Sequence, residues 1–244
     1  MERGLILLAV TLMVFLAPGV HGTSHLTFDN TTEVNVTRAG CGTKKLCVET
    51  PDDCDPAKNN SCLFGSLQIM NTMAPNGSDL AVGLQGNSSG YVALGLAKDP
   101  SQGYTMVFVC GQNNSMFFFR TGQTNNSANS TAFMANERRV KDIRGLVNGS
   151  VIRCEFTVPS LNASSTKSVD HTFYVFLAIG DSATIGNINF ILKAGRLNLA
   201  DPASNIPTTT APTTTQGMSG GAAFQPHAVL LLLGILICTA MQRV

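Results

Sequence analysis

Histidine is scarce in this 244-residue chain, with four in all. His21 and His227 fall in terminal segments that read as processing signals, which leaves His25 near the start and His171 at the edge of a strand pattern. A serine or cysteine nucleophile normally needs a histidine or an equivalent base beside it, so this scarcity argues against that chemistry. Carboxylates do not fill the gap: Asp52, Asp53 and Asp55 sit in the cysteine-rich turn PDDCD, where turn chemistry accounts for aspartate without any reaction. No glycine-rich phosphate loop follows a strand and opens a helix. No stretch shows an amphipathic helix of three turns.

Charge is thin as well. Only 13% of residues are charged, and with Glu2, Arg3 and Arg243 set aside fourteen of each sign remain. A balance of that kind steers nothing toward nucleic acid. The one basic cluster, ERRVKDIR at 137–144, reads as the solvated face of a strand or turn; a sulfated glycan or an acidic partner is the sharper alternative.

Long apolar runs are missing too. The C-terminal one, from Ala228 to Met241, is shorter than the roughly 20 residues a helix needs to span a bilayer. It follows the small residues Ser219, Gly220, Gly221, Ala222 and Ala223 and a short spacer. That order is the pattern for exchange of the tail for a glycosylphosphatidylinositol (GPI) anchor, with Ser219 as the attachment residue; a short single-pass helix is the alternative. At the other end Arg3, the apolar run Leu5–Ala17 and the small residues Val20 and Gly22 read as a secretory signal peptide over 1–22. The expected organisation is a flexible segment at 23–39, a folded domain at 40–200 opened by a cysteine-rich lead, a Thr/Pro-rich stalk at 201–218 and the anchor signal at 219–244. The expected location is the extracellular face of the plasma membrane.

What the chain does have is glycan acceptors. Asn-x-Ser/Thr occurs at Asn30, Asn35, Asn59, Asn76, Asn87, Asn113, Asn125, Asn129, Asn148 and Asn162, each an acceptor when it lies on a surface loop of a secreted protein. Between them run short alternating segments: 79–85, 91–97, 104–110, 116–120, 151–158, 172–180 and 187–194. In VIRCEFTV, Ile152, Cys154, Phe156 and Val158 face one way and Arg153, Glu155 and Thr157 the other, the period of a half-buried strand. The preceding Asn148-Gly149 is a hairpin signal, and 172–180 is apolar on both faces, as a covered central strand is. Short strands punctuated by Gly, Asn and Ser predict an all-β, immunoglobulin-like antiparallel sandwich.

Six cysteines lie outside the terminal signals: Cys41, Cys47, Cys54, Cys62, Cys110 and Cys154. An even number in an oxidising compartment implies disulfides. Cys110 and Cys154 each lie on the inward face of a strand and are expected to pair across the core. The other four, in the loop-rich lead, allow three connectivities. A zinc site fits poorly, because spacings of six to eight positions without a neighbouring histidine are unlike structural zinc.

The segments CGTKKLCVETPDDCDP, DLAVGLQGNSSGYVALGLAKDPSQG, VFVCG, GSVIRCEFTV and HTFYVFLAIGD together resemble the DOMON domain of the ferric-chelate reductase 1 family over roughly residues 40–195. The resemblance implies an immunoglobulin-like sandwich. It also implies a truncated paralogue, without the second extracellular module and the cytochrome b561 unit of the full-length reductases. DOMON domains that bind haem b commonly hold the iron between a methionine, in the loop after the GYVALG strand, and a histidine on the last strand. The matching positions here are Gln102-Gly103 and Ile191 or Leu192, so both ligands look lost. His171 and Met106 are the remaining weak haem candidates; His171 reads better as a strand-edge histidine, and Met106 and Met116 as core filler. The resulting expectation is a glycosylated, lipid-anchored binding module without its own catalysis or cofactor. Its partner would be an unidentified extracellular protein, or a small apolar or sugar ligand in the space a haem would leave. The alternative is an extracellular haem-b electron carrier.

Overall fold

The computed structural model describes residues 25–31, 33–73, 77–127, 130–162 and 170–206. The expected signal peptide, the expected stalk beyond residue 206, the expected attachment residue Ser219 and anchor signal, and the tripeptides at Asn76 and Asn129 lie outside the described residues. Among the described residues, twelve strands form two six-stranded sheets. They are β1 (Leu26–Phe28), β2 (Leu46–Thr50), β3 (Leu63–Met73), β4 (Gly77–Asn87), β5 (Tyr91–Ala97) and β6 (Tyr104–Asn113), then β7 (Met116–Asn125), β8 (Met134–Ala135), β9 (Val140–Asn148), β10 (Val151–Leu161), β11 (Thr172–Gly180) and β12 (Phe190–Asn198). One sheet has the order β1-β9-β10-β4-β3-β2 and the other β12-β11-β5-β6-β7-β8. All pairings are antiparallel except β1 with β9. The expected all-β sandwich is the observed fold.

Alternation builds the interior. On β10, Ile152, Cys154, Phe156 and Val158 are buried while Arg153, Glu155 and Thr157 are half-exposed. From the facing sheet, Leu94 and Leu96 of β5, Phe108 and Cys110 of β6 and Phe173, Val175 and Leu177 of β11 join the same cluster. Phe156 bridges the sheets, its ring centroid 5.6 Å from that of Phe108 and 4.9 Å from that of Phe119. Beside these rings, Cys110 and Cys154 are bonded and fully buried. These side chains pack together between the sheets.

Several segments depart from the sequence reading. The lead is not simply loop: Cys41 bonds Cys47 and Cys54 bonds Cys62, and Cys47 lies within β2, which pairs with β3. The segment expected to be flexible supplies β1 and buries Val36 against Phe64, Cys47, Cys54 and Cys62. The basic cluster falls largely on β9, where Val140 and Ile143 are buried at 0% and 1% exposure, so its charges decorate one face of a core strand. The last strand starts later than expected, at Phe190, and runs to Asn198. The folded unit also continues past 200: Asn205 donates its Nδ2–H to the Cys47 carbonyl at 2.9 Å.

The topology gathers three acceptor sites at one end of the sandwich. Asn87, Asn113 and Asn148 close β4, β6 and β9; β6 and β9 turn back in hairpins to β7 and β10, while the chain after Asn87 crosses to β5 in the other sheet. Ser88 donates its N–H to the Ser150 carbonyl at 2.7 Å. The buried Gln112 side chain donates to the carbonyls of Ser88 and Gly149 at 2.8 and 3.1 Å, which ties the tips together.

Candidate functional site

The resemblance directs attention to the loop after β5 and to β12. β5 is buried along its whole length, between β11 and β6. Where it ends, Lys98 anchors the chain. Its Nζ donates to the carbonyls of Asp170 and Thr172 at 2.8 and 3.0 Å and to Asp170 Oδ2 at 3.0 Å, and it lies 3.9 Å from the centre of the Phe173 ring. The Thr172 N–H and the Lys98 ammonium hold the Asp170 carboxyl down to about 2, so it is ionised at neutral pH.

Residues 99–103 are then fixed by local bonds. Asp99 Oδ1 accepts from the Ser101 N–H and hydroxyl, both at 2.7 Å. Asn126 donates through Nδ2 to the carbonyls of Asp99 and Gln102 at 2.7 and 3.3 Å, and Gly103, with φ +68°, accepts the Asn126 N–H. Gln102 itself is exposed. On β12 the register sets Leu192 opposite Leu177, with its side chain against the main core, while Ile191 is 53% exposed.

His171 and Met106 occupy different environments. Met106 is half-buried against the main core on β6, and Met116, read as core filler, is instead 67% exposed at the β6–β7 turn. His171 precedes β11 and places Nε2 2.6 Å from the hydroxyl of Ser78 on β4. The Ser78 hydroxyl also lies 3.2 Å from Thr72 Oγ1, and which partner gives the proton to the other at the imidazole follows its tautomer. Burial, and then the charge of Lys98, lower the imidazole's affinity for a second proton; Asp170 opposes them. Burial thus favours the neutral imidazole.

Sequence reasoning missed this Ser78–His171 contact, which spans 93 positions. At first sight it is a nucleophile–base pair. Ser78, however, is 1% exposed, so the pair lacks the access that an activated nucleophile requires. It stitches β11 of one sheet to β4 of the other.

The residues present do not fit haem b. Axial ligation of haem in cytochromes uses donors such as the imidazole nitrogen of histidine and the thioether sulfur of methionine. At the two matched places stand an exposed amide and an aliphatic pair, and the imidazole outside them uses Nε2 in a hydrogen bond. Among the described residues no three His, Cys, Asp or Glu side chains come together as a metal cluster.

No family model matches the chain. It is 29% identical over 168 residues to a Danio rerio protein that carries the ferric-chelate reductase 1 name, a match over 67% of this chain and 28% of that one. It is 25% identical over 144 residues to ferric-chelate reductase 1 of Homo sapiens, covering 57% of this chain and 23% of the relative. The Mus musculus protein gives 27% over 146 residues, with 58% and 23% covered. The chain thus matches about a quarter of the length of these relatives. Among solved structures it is similar to the cytochrome domain of Myriococcum thermophilum cellobiose dehydrogenase, at 10% identity and a TM-score of 0.41, over 72% of this chain and 92% of that one. By shared sequence the chain is similar to part of the ferric-chelate reductase 1 proteins, and its all-β sandwich is the fold that the resemblance to their DOMON domain implies.

Proposed function

We propose that this chain is an N-glycosylated protein of the extracellular cell surface, tethered by a glycolipid at Ser219, whose DOMON domain binds a partner and carries out no reaction of its own. The observation that carries this reading is the pair of ligand positions, Gln102 in an exposed turn and the aliphatic Ile191–Leu192 on β12. A domain of this family without axial donors keeps a rigid, disulfide-stapled scaffold and loses the means to carry an electron. Support for the sugar coat comes from exposure: Asn30, Asn35, Asn59, Asn87, Asn113 and Asn148 are exposed, and Asn125 and Asn162 are half-exposed. Sugars crowding the tips of β4, β6 and β9 would leave the broad sheet faces for a partner.

A second reading, an extracellular haem-b electron carrier, is favoured by the name of the relatives. It needs an axial pair from elsewhere, with His171 and Met106 the residues to test, and His171 would first have to release Ser78.

The tether has a direct test. Cells displaying the full chain, treated with phosphatidylinositol-specific phospholipase C, are expected to lose most of it to the medium. Chain that stays on the cells after treatment contradicts the lipid anchor and favours a single membrane span.

A further inference from the structure

The β6–β7 turn is Asn113-Asn114-Ser115-Met116, with Asn113 paired to Met116. Its two central residues both have positive φ, 50° at Asn114 and 64° at Ser115. Two such residues make the tight hairpin turn that matches strand twist, and its favoured second residue is glycine. Serine there accepts a strained backbone, and in return it completes the acceptor tripeptide Asn113-x-Ser115.

The surface beside this turn is apolar and open. Alternation puts Gly111 and Asn113 of β6 on the same face as Met116 and Phe118 of β7, with Gly111 opposite Phe118. The Phe118 ring lies across Gly111 so closely that a Cβ there would come within 2.1 Å of it. The Arg120 guanidinium stands 5.1 Å from the ring centre. Asn113, Met116, Phe117, Phe118 and Arg120, with Ala183 and Thr184 from the loop after β11, bound an open cleft of about 380 Å³. That volume is within the ~300–1,000 Å³ of small-molecule sites.

We propose that the oligosaccharide on Asn113 folds back into this cleft, its first N-acetylglucosamine against Phe118 and Met116 with Arg120 and Thr184 serving its polar groups. The proposal rests on the glycosylation reading above. In the attachment step Asn113 Nδ2 gives up a proton and bonds the anomeric carbon of a lipid-diphosphate-linked oligosaccharide, and the lipid diphosphate departs. Three observations single out the sugar as occupant. The acceptor side chain is itself a wall of the cleft, so the ligand is tethered at high effective concentration. A pyranose offers an apolar C–H face to an aromatic ring and hydroxyls to its rim, which matches the lining. Finally, a residue the turn disfavours sits where the acceptor needs it.

The test uses the full chain from cells. Mass spectrometry first reads the occupancy of Asn113. Melting temperatures are then compared for the glycosylated protein, Ser115→Gly, the exposed-site variant Met116→Ala and the double variant. Without docking, Ser115→Gly relieves a strained turn and melts at the same temperature or higher. With docking it melts about 2–4 °C lower, and the difference shrinks in the Met116→Ala background. When the chain is made in cells that leave its glycans high-mannose, trimming each to its first sugar with endoglycosidase H preserves the difference between the native turn and Ser115→Gly. An occupied Asn113 with Ser115→Gly at least as stable overturns the docking alone; an empty Asn113 overturns the glycosylation reading at this site and the docking with it.

Discussion

Replacing Cys110 and Cys154 together with alanine is expected to destabilise the domain by about 4 kcal/mol, the loop-entropy value for a crosslink of this span. The two are 44 positions apart, and the bond is the covalent tie between β6 in one sheet and β10 in the other. Both cysteines are fully buried, so the effect calls for the double substitution, since reductant reaches the bond only after opening. The clips Cys41–Cys47 and Cys54–Cys62 close separations of 6 and 8 and by the same relation contribute about 2.5 kcal/mol each. Urea unfolding of the two-cysteine variant checks the ranking. A loss under about 1 kcal/mol would mean that the unfolded chain is already constrained there.

Phe156→Ala is expected to cost about 4 kcal/mol, within the ~3–5 kcal/mol of buried phenylalanine truncations. Phe156 is 2% exposed and touches one ring from β6 and one from β7. Truncation opens a cavity between the sheets and removes two aromatic contacts, each adding about 0.5–1.5 kcal/mol beyond burial. Phe156→Leu keeps most of the volume and is expected to cost about 1 kcal/mol. Because Cys154 lies two positions away on the same inward face, losses at the ring and the bond will not add, and the triple variant measures the coupling. Chemical unfolding of Phe156→Ala with a loss under about 1.5 kcal/mol would show that the neighbouring rings collapse into the space.

Strands that are half-buried announced themselves. β10 alternates cleanly, β5 reads as an alternating strand with Val92, Leu94 and Leu96 on one face, and β11 is apolar on both faces, as a covered strand is. β3 escaped because small residues interrupt its pattern: at Gly65 a Cβ would meet Leu177, Val48 and Leu84 at 3.0–3.4 Å, so the backbone packs where a side chain would have signalled. β9 escaped because only Val140 and Ile143 reach the core among its charges. β2 was hidden by its own cysteine, since arithmetic on Cys41–Cys62 speaks of loops and says nothing of register. At the site, Gln102, Ile191 and Leu192 were legible only through the family resemblance. The Ser78–His171 bond and the shared end of Asn87, Asn113 and Asn148 depend on strand order, which no local pattern encodes.

With Gln102 in an exposed turn and Ile191 and Leu192 on β12, the positions matched to the DOMON haem ligands supply no axial pair. The most direct check is the visible absorption spectrum of the chain from residue 23 to 206, expressed in haem-supplemented cells and purified, before and after dithionite. No Soret band and no change on reduction are expected. A Soret band at one haem per chain that shifts with dithionite, and is lost in His171→Ala or Met106→Ala, would contradict this reading.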